Sequence, residues 1–178
     1  ALQSIVARNI HPLKSAVISV TSLHGGEAFN VIPSEVELRG TVRSFEPEVR
    51  ALLLERLTQV VQGVAGALGC QAEVETWRVT PAVVNDEAVT RRVQAVAARL
   101  LPKYELDDNE RTMGSEDMAY MMEELPGCYF FIGSANAGRG LDAAHHHPRF
   151  DFDEEALPRA AALMAAVVVE LLQGETED

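Results

Sequence analysis

Apolar side chains recur along this chain with two different periods, and the switches between them lay out its elements. Residues 16 to 23, Ala-Val-Ile-Ser-Val-Thr-Ser-Leu, are rich in β-branched side chains and close on Gly25-Gly26, which predicts a strand running into a turn. Over residues 35 to 44 the period is two. Val36, Leu38 and Val42 face one way and Glu35, Glu37, Arg39, Thr41 and Arg43 the other, which predicts a half-buried strand antiparallel to the first. Glu46-Pro47 then opens a long helix in which Val49, Leu52, Leu53, Leu57, Val60, Val61, Val64 and Leu68 keep helical spacing until Gly69. A further strand is predicted over 71 to 79, ended by Pro81.

The second half follows the same logic. Asn85 to Leu101 reads as an amphipathic helix with Val89, Val93, Val96, Ala97 and Leu100 on one face, halted by Pro102. Residues 103 to 113 are polar, after which Ser115, Glu116 and Asp117 head a short helix through Leu125, with acidic residues where the helix dipole favours them. Cys128 to Ile132 is a continuous apolar run, predicting a central strand covered on both faces. A closing helix follows Asp153, with Leu157, Ala161, Met164, Val168 and Leu171 expected on its buried stripe.

Leu2, Ile5 and Val6 already carry helical spacing with no capping residue before them, and Ala1 is not an initiator methionine. The expectation is therefore a chain that begins inside a helix and belongs to a longer protein. Helix, strand, strand, helix, strand is the order of a ferredoxin-like α/β sandwich lacking its first strand and most of its first helix. The domain boundary is expected near Pro81 to Asn85.

At 178 residues and 47% hydrophobic, the chain can bury a core. Its net charge of −12 opposes nucleic acid and anionic membranes as partners. The sequence lacks a run of membrane-spanning length and a signal-peptide layout at residue 1. Cys70 and Cys128 have no paired spacing, so a reducing cytoplasm is the expected compartment.

The chemistry concentrates in Ala144-His145-His146-His147-Pro148-Arg149-Phe150-Asp151-Phe152-Asp153-Glu154. Neutral imidazole is the commonest side-chain ligand for zinc-like cations. Consecutive residues of an extended chain point apart, so one or two of these histidines can reach a single ion and the other donors must come from elsewhere. From the residues alone the run reads either as part of a metal site or as a solvated polar loop.

Four segments, in order, resemble the di-metal amidohydrolase and metallopeptidase family that includes aminoacylases, hippurate hydrolases, indole-acetyl-amino-acid hydrolases and thermostable carboxypeptidases. They are Gly25-Gly26-Glu27-Ala28-Phe29-Asn30-Val31-Ile32-Pro33, Gly40-Thr41-Val42-Arg43-Ser44, Gly114-Ser115-Glu116-Asp117-Met118, and His146-His147-Pro148-Arg149-Phe150-Asp151-Phe152-Asp153-Glu154. The resemblance implies an α/β fold in two parts: residues 1–82 as the later part of a ferredoxin-like lid and dimerisation domain, and residues 83–178 as the C-terminal segment of a zinc-peptidase-like catalytic domain. It implies two divalent cations, zinc first, with manganese, cobalt or nickel as alternatives, and a homodimer or tetramer formed through the lid. His146, two residues before Pro148, is similar to the family's last metal ligand, while His145 and His147 receive no role.

By the same resemblance, Asn30 and Arg43 match the lid pair that contacts the substrate carboxylate. A guanidinium is chemically suited to that task. Arg43 could instead pair with Glu35 or Glu37, and Asn30 could serve as a turn residue. Ser115 to Asp117 resemble a segment near the active site or simply cap a helix, and His24 is expected at the surface. The family's other metal ligands, bridging aspartate, general-base glutamate and lid histidine all lie upstream of these segments. The implied reaction, hydrolysis of the amide bond of an N-acyl amino acid or small peptide by metal-activated water, would therefore be beyond this chain alone. The competing expectation is a non-catalytic dimerisation or regulatory module.

Overall fold

The structure is a computed structural model that describes residues 1–173. The chain divides into two compact units: Ala1–Ala82 together with Thr112–Asp117, and Val83–Arg111 together with the chain from Met118 onward.

The first unit contains α1 (Gln3–Asn9), β1 (Ala16–His24), β2 (Glu37–Ser44) and α2 (Pro47–Ala67). The strands pair antiparallel, with Ile18 opposite Val42 and Val17 opposite Arg43. Ile5, Ile18, Val49 and Leu53 form its core, with Val42, Leu57 and Val60 packed against them. The period-2 pattern thus delivers Ile18 and Val42 to the helices and leaves Val17 and Arg43 on the opposite face. A register shift between Val20 and Ser22 makes Thr21 an extra residue and reverses the alternation along β1. Gly40 faces this irregularity. A β-carbon there would lie 2.1 Å from the Ser19 carbonyl oxygen, so the strands approach in a way that only glycine permits. Helix α2 ends where expected, at Gly69, whose φ of 73° is left-handed and whose N–H reaches the Gly66 carbonyl.

Residues 71 to 79 form no strand: they enter no ladder, and Trp77 is 75% exposed. Alternating β-branched residues create only the potential for pairing, which becomes a strand only where a neighbouring edge continues it. The sheet accordingly has two strands. The unit is mixed α/β, without the third strand of the expected sandwich.

The second unit contains α3 (Glu87–Leu100), α4 (Met118–Glu124) and α5 (Ala156–Leu172). Asp86 caps α3 by accepting from the Val89 N–H at 2.9 Å. Its core joins Val93, Val96 and Ala97 of α3 to Leu163 and Val167 of α5. The expected α5 stripe is displaced. Leu157, Ala161, Met164, Val168 and Leu171 are exposed, and the buried line runs through Ala156, Leu163 and Val167, one residue and about 100° around the helix. Because α5 is apolar on most of its circumference, periodicity could not select the face that α3 covers.

Residues 128 to 132 depart from expectation in a related way. Cys128, Phe130 and Ile132 pack on the helical core, whereas Phe131 is 57% exposed, so one face is covered and the run joins no sheet. Asn85 takes the place of a neighbouring strand. Its carboxamide donates to the Tyr129 carbonyl and accepts from the Tyr129 N–H, both at 2.9 Å, and the Asp86 N–H donates to the Gly127 carbonyl at 2.8 Å. A single side chain thus meets the backbone needs of Tyr129. No helix among the described residues is long and apolar enough to cross a membrane.

Candidate functional site

In the first unit, Arg43 extends from the sheet face opposite the core. Its Nη1 donates to the Met113 carbonyl at 2.7 Å and to Ser115 Oγ at 3.3 Å, both on the Thr112–Asp117 segment. Neither Glu35 nor Glu37 is its partner. Glu37 is gripped by Arg39, whose Nη2 and Nε approach its two carboxylate oxygens at 2.9 Å each. Arg39's hydrogen bond holds the Glu37 carboxyl below its ordinary range. The short helix after this segment begins only at Met118, so the Ser115 hydroxyl is an arginine acceptor.

Asn30 lies exposed in the connection between the strands, next to a turn in which the Val31 N–H donates to the Ala28 carbonyl at 3.3 Å. Among the described residues its carboxamide has no hydrogen-bond partner, so the turn is closed by backbone alone. His24 is exposed at the end of β1.

In the second unit, the histidine run occupies a loop whose base is pinned on both sides. The backbone of Asn136 exchanges two hydrogen bonds with Leu141, and the Asp153 N–H donates to the Ser134 carbonyl at 2.8 Å. The Asp153 carboxylate accepts from Asn136 Nδ2 at 2.6 Å, from Arg139 at 2.8 Å and from the Glu155 N–H. These donors, the Asn136 amide foremost, hold its pKa below the usual aspartate range.

Within that loop the three imidazoles are inequivalent. His145 stacks edge-on against Phe150, with ring centroids 4.8 Å apart. His147 Nδ1 accepts from the Arg149 N–H at 3.1 Å, which commits it to the local turn. His146 is exposed, has no hydrogen-bond partner among the described residues, and has a φ of 65°. A left-handed conformation costs a residue with a β-carbon about 1–2 kcal/mol. It also reverses the chain between the two committed histidines. Beside the loop is a cavity of about 300 Å³ lined by Ile132, Ser134, Leu141, His145, Phe150 and Asp151. Another cavity of this unit, about 490 Å³, is lined by Val84–Glu87 and Met122–Gly127 and shares no residue with it.

No group of three or more histidine, cysteine, aspartate or glutamate side chains among the described residues could hold a metal ion. The imidazole of His146 can offer one nitrogen donor, whereas a closed site for a zinc-like ion requires about four donors.

Comparison with known proteins gives the family. Residues 5–170 match the model of peptidase family M20/M25/M40, and the chain belongs to that family. It is 37% identical over 172 residues to an N-acetylcysteine deacetylase of Bacillus subtilis (strain 168), covering 97% of this chain and 43% of that protein. Against the IAA-amino acid hydrolase ILR1-like 6 of Arabidopsis thaliana, identity is 36%, covering 94% of this chain and 37% of the relative. The crystal structure of the Bacillus subtilis YXEP protein, described as a dinuclear metal binding peptidase from the M20 family, superimposes with a TM-score of 0.74 at 35% identity, covering 89% of this chain and 42% of that one. The chain thus spans about two fifths of the length of these relatives.

Proposed function

We propose that this chain is part of a metal-dependent amidohydrolase that cleaves the amide bond of N-acyl amino acids or small peptides, with His146 as one metal ligand and Asn30 and Arg43 as the carboxylate grip. The observation carrying this reading is the inequivalence of three exposed histidines on a loop pinned at its base: His146, whose ring meets that of His145 edge-on, has a left-handed backbone and neither the Phe150 contact of His145 nor the hydrogen bond of His147. Support comes also from membership of the M20 family and from relatives named for deacetylation and amino-acid-conjugate hydrolysis. When bound, a pair of divalent cations, zinc foremost, would polarise the scissile carbonyl and acidify water.

The contribution of this chain is different. Arg43 presents fixed positive charge for a carboxylate, Asn30 adds a neutral amide able to donate or accept, and together they orient the substrate so that its amide meets the reacting centre. With one donor of its own, the chain by itself is inactive in this reading. We assign it to a reducing cytoplasm, consistent with free Cys70 and Cys128, and to a dimer or tetramer assembled through the first unit.

The test uses the full-length enzyme that contains this chain. His146→Ala should deplete bound metal measured by elemental analysis, while Arg43→Ala should leave the metal in place and lower kcat/KM by about 1.5–3 kcal/mol, the usual loss of a charge-assisted hydrogen bond. An unchanged metal load in His146→Ala removes the ligand assignment.

A further inference from the structure

Arginine is a costly way to hold a carboxylate unless something limits where its guanidinium can go, because four side-chain torsions must be fixed when the ligand arrives. The first unit contains such a restraint. The Thr112–Asp117 segment folds with this unit although α3 separates it from the rest in sequence. It meets Arg43 with two acceptors, the Met113 carbonyl at 2.7 Å and Ser115 Oγ at 3.3 Å. Both bonds use Nη1. A guanidinium has five N–H groups, and the edge formed by Nε and Nη2 can take a carboxylate in a two-pronged fork without disturbing Nη1. Among the described residues no hydrogen bond uses that edge of Arg43. Glu37, a carboxylate on the same strand face, is already occupied by Arg39 on both oxygens.

We propose that the Thr112–Asp117 segment is a strap that presets Arg43 for carboxylate binding, with Ser115 as a positioning residue that touches the arginine and not the reacting atoms. This rests on the reading that Arg43 grips the substrate carboxylate. Ser115 then adds no binding contact of its own; it limits the guanidinium's freedom before the substrate arrives.

The experiment compares N-acetylcysteine with N-acetylcysteine amide, which lacks the carboxylate, as substrates of the full-length, metal-loaded enzyme. Ser115→Ala should raise KM for the acid about threefold to tenfold, as loss of one modest hydrogen bond to a charged group implies, with kcat, metal content and all constants for the amide unchanged. Ser115→Thr, which keeps the hydroxyl, should restore the acid's KM. Arg43→Ala should raise the same KM further, and adding Ser115→Ala to it should cause no additional loss, because the strap acts only through the arginine. If Arg43→Ala affects acid and amide alike, the carboxylate reading fails. If Arg43→Ala discriminates between them but Ser115→Ala matches the wild type, or impairs both substrates equally, the strap is overturned while the carboxylate reading stands.

Discussion

The two units solve the same problem with unequal means. In the first, an apolar strand face finds a partner within the chain: β1 and β2 satisfy each other's backbone, and Ile18 and Val42 reach the core beneath α1 and α2. In the second, the apolar run 128 to 132 has no ladder, and the carboxamide of Asn85 satisfies one residue's worth of backbone while helices cover a single face. Burial by helices can therefore hold an extended segment straight without making it a strand. What distinguishes a sheet is the neighbour.

The hardest blow to this contrast should come from the first unit. Leu53 is fully buried among Ile5, Ile18 and Val49, and Leu53→Ala should cost about 2–5 kcal/mol through lost burial and the cavity left behind. Thermal unfolding and amide exchange across β1 and β2 would register it; a loss below 1 kcal/mol would mean the core is looser than its packing indicates. A smaller effect is expected in the second unit. Asn85→Ala strips both hydrogen bonds from Tyr129 in a place that water can reach, so we expect about 1–2 kcal/mol and faster exchange of the Tyr129 amide. If that amide exchanges at an unchanged rate, the carboxamide is not a stand-in for a strand.

The weakest effect concerns pH. Because the native surroundings of Asp153 depress its pKa, its stabilisation is present in full above the unfolded aspartate value of about 4 and is lost as pH falls through the lower native value. Asp153→Asn should flatten this part of the acid limb of a stability profile and leave neutral pH less stable than wild type. An NMR titration showing an ordinary or raised Asp153 pKa would reverse the sign.

Much of this architecture was legible in the sequence because local rules governed it. The α2 stripe found Val49 and Leu53, Gly69 stopped the helix, the spacing over 85 to 101 found Val93, Val96 and Ala97 of α3, and the alternation over 35 to 44 sent Val42 inward. The failures share one cause, dependence on a distant partner. Residues 71 to 79 had strand composition without a ladder, and α5 had apolar side chains on two faces, of which α3 chose the less expected. The site behaved similarly. The histidine run was conspicuous, but the commitments of His145 to Phe150 and of His147 to the Arg149 N–H depend on loop geometry that spacing does not encode. The Arg43–Ser115 contact joins residues 72 apart in sequence, and nothing local to either announces it.

The left-handed backbone at His146 places robustness and chemistry in opposition. A glycine at that position would adopt the same φ without steric penalty, so a protein engineered for a sturdier loop would be drawn toward discarding the imidazole. Selecting variants for heat resistance would thus favour a folded, durable protein without the imidazole that we propose as a metal ligand. Screens that score only solubility or melting temperature should therefore be paired with a metal assay.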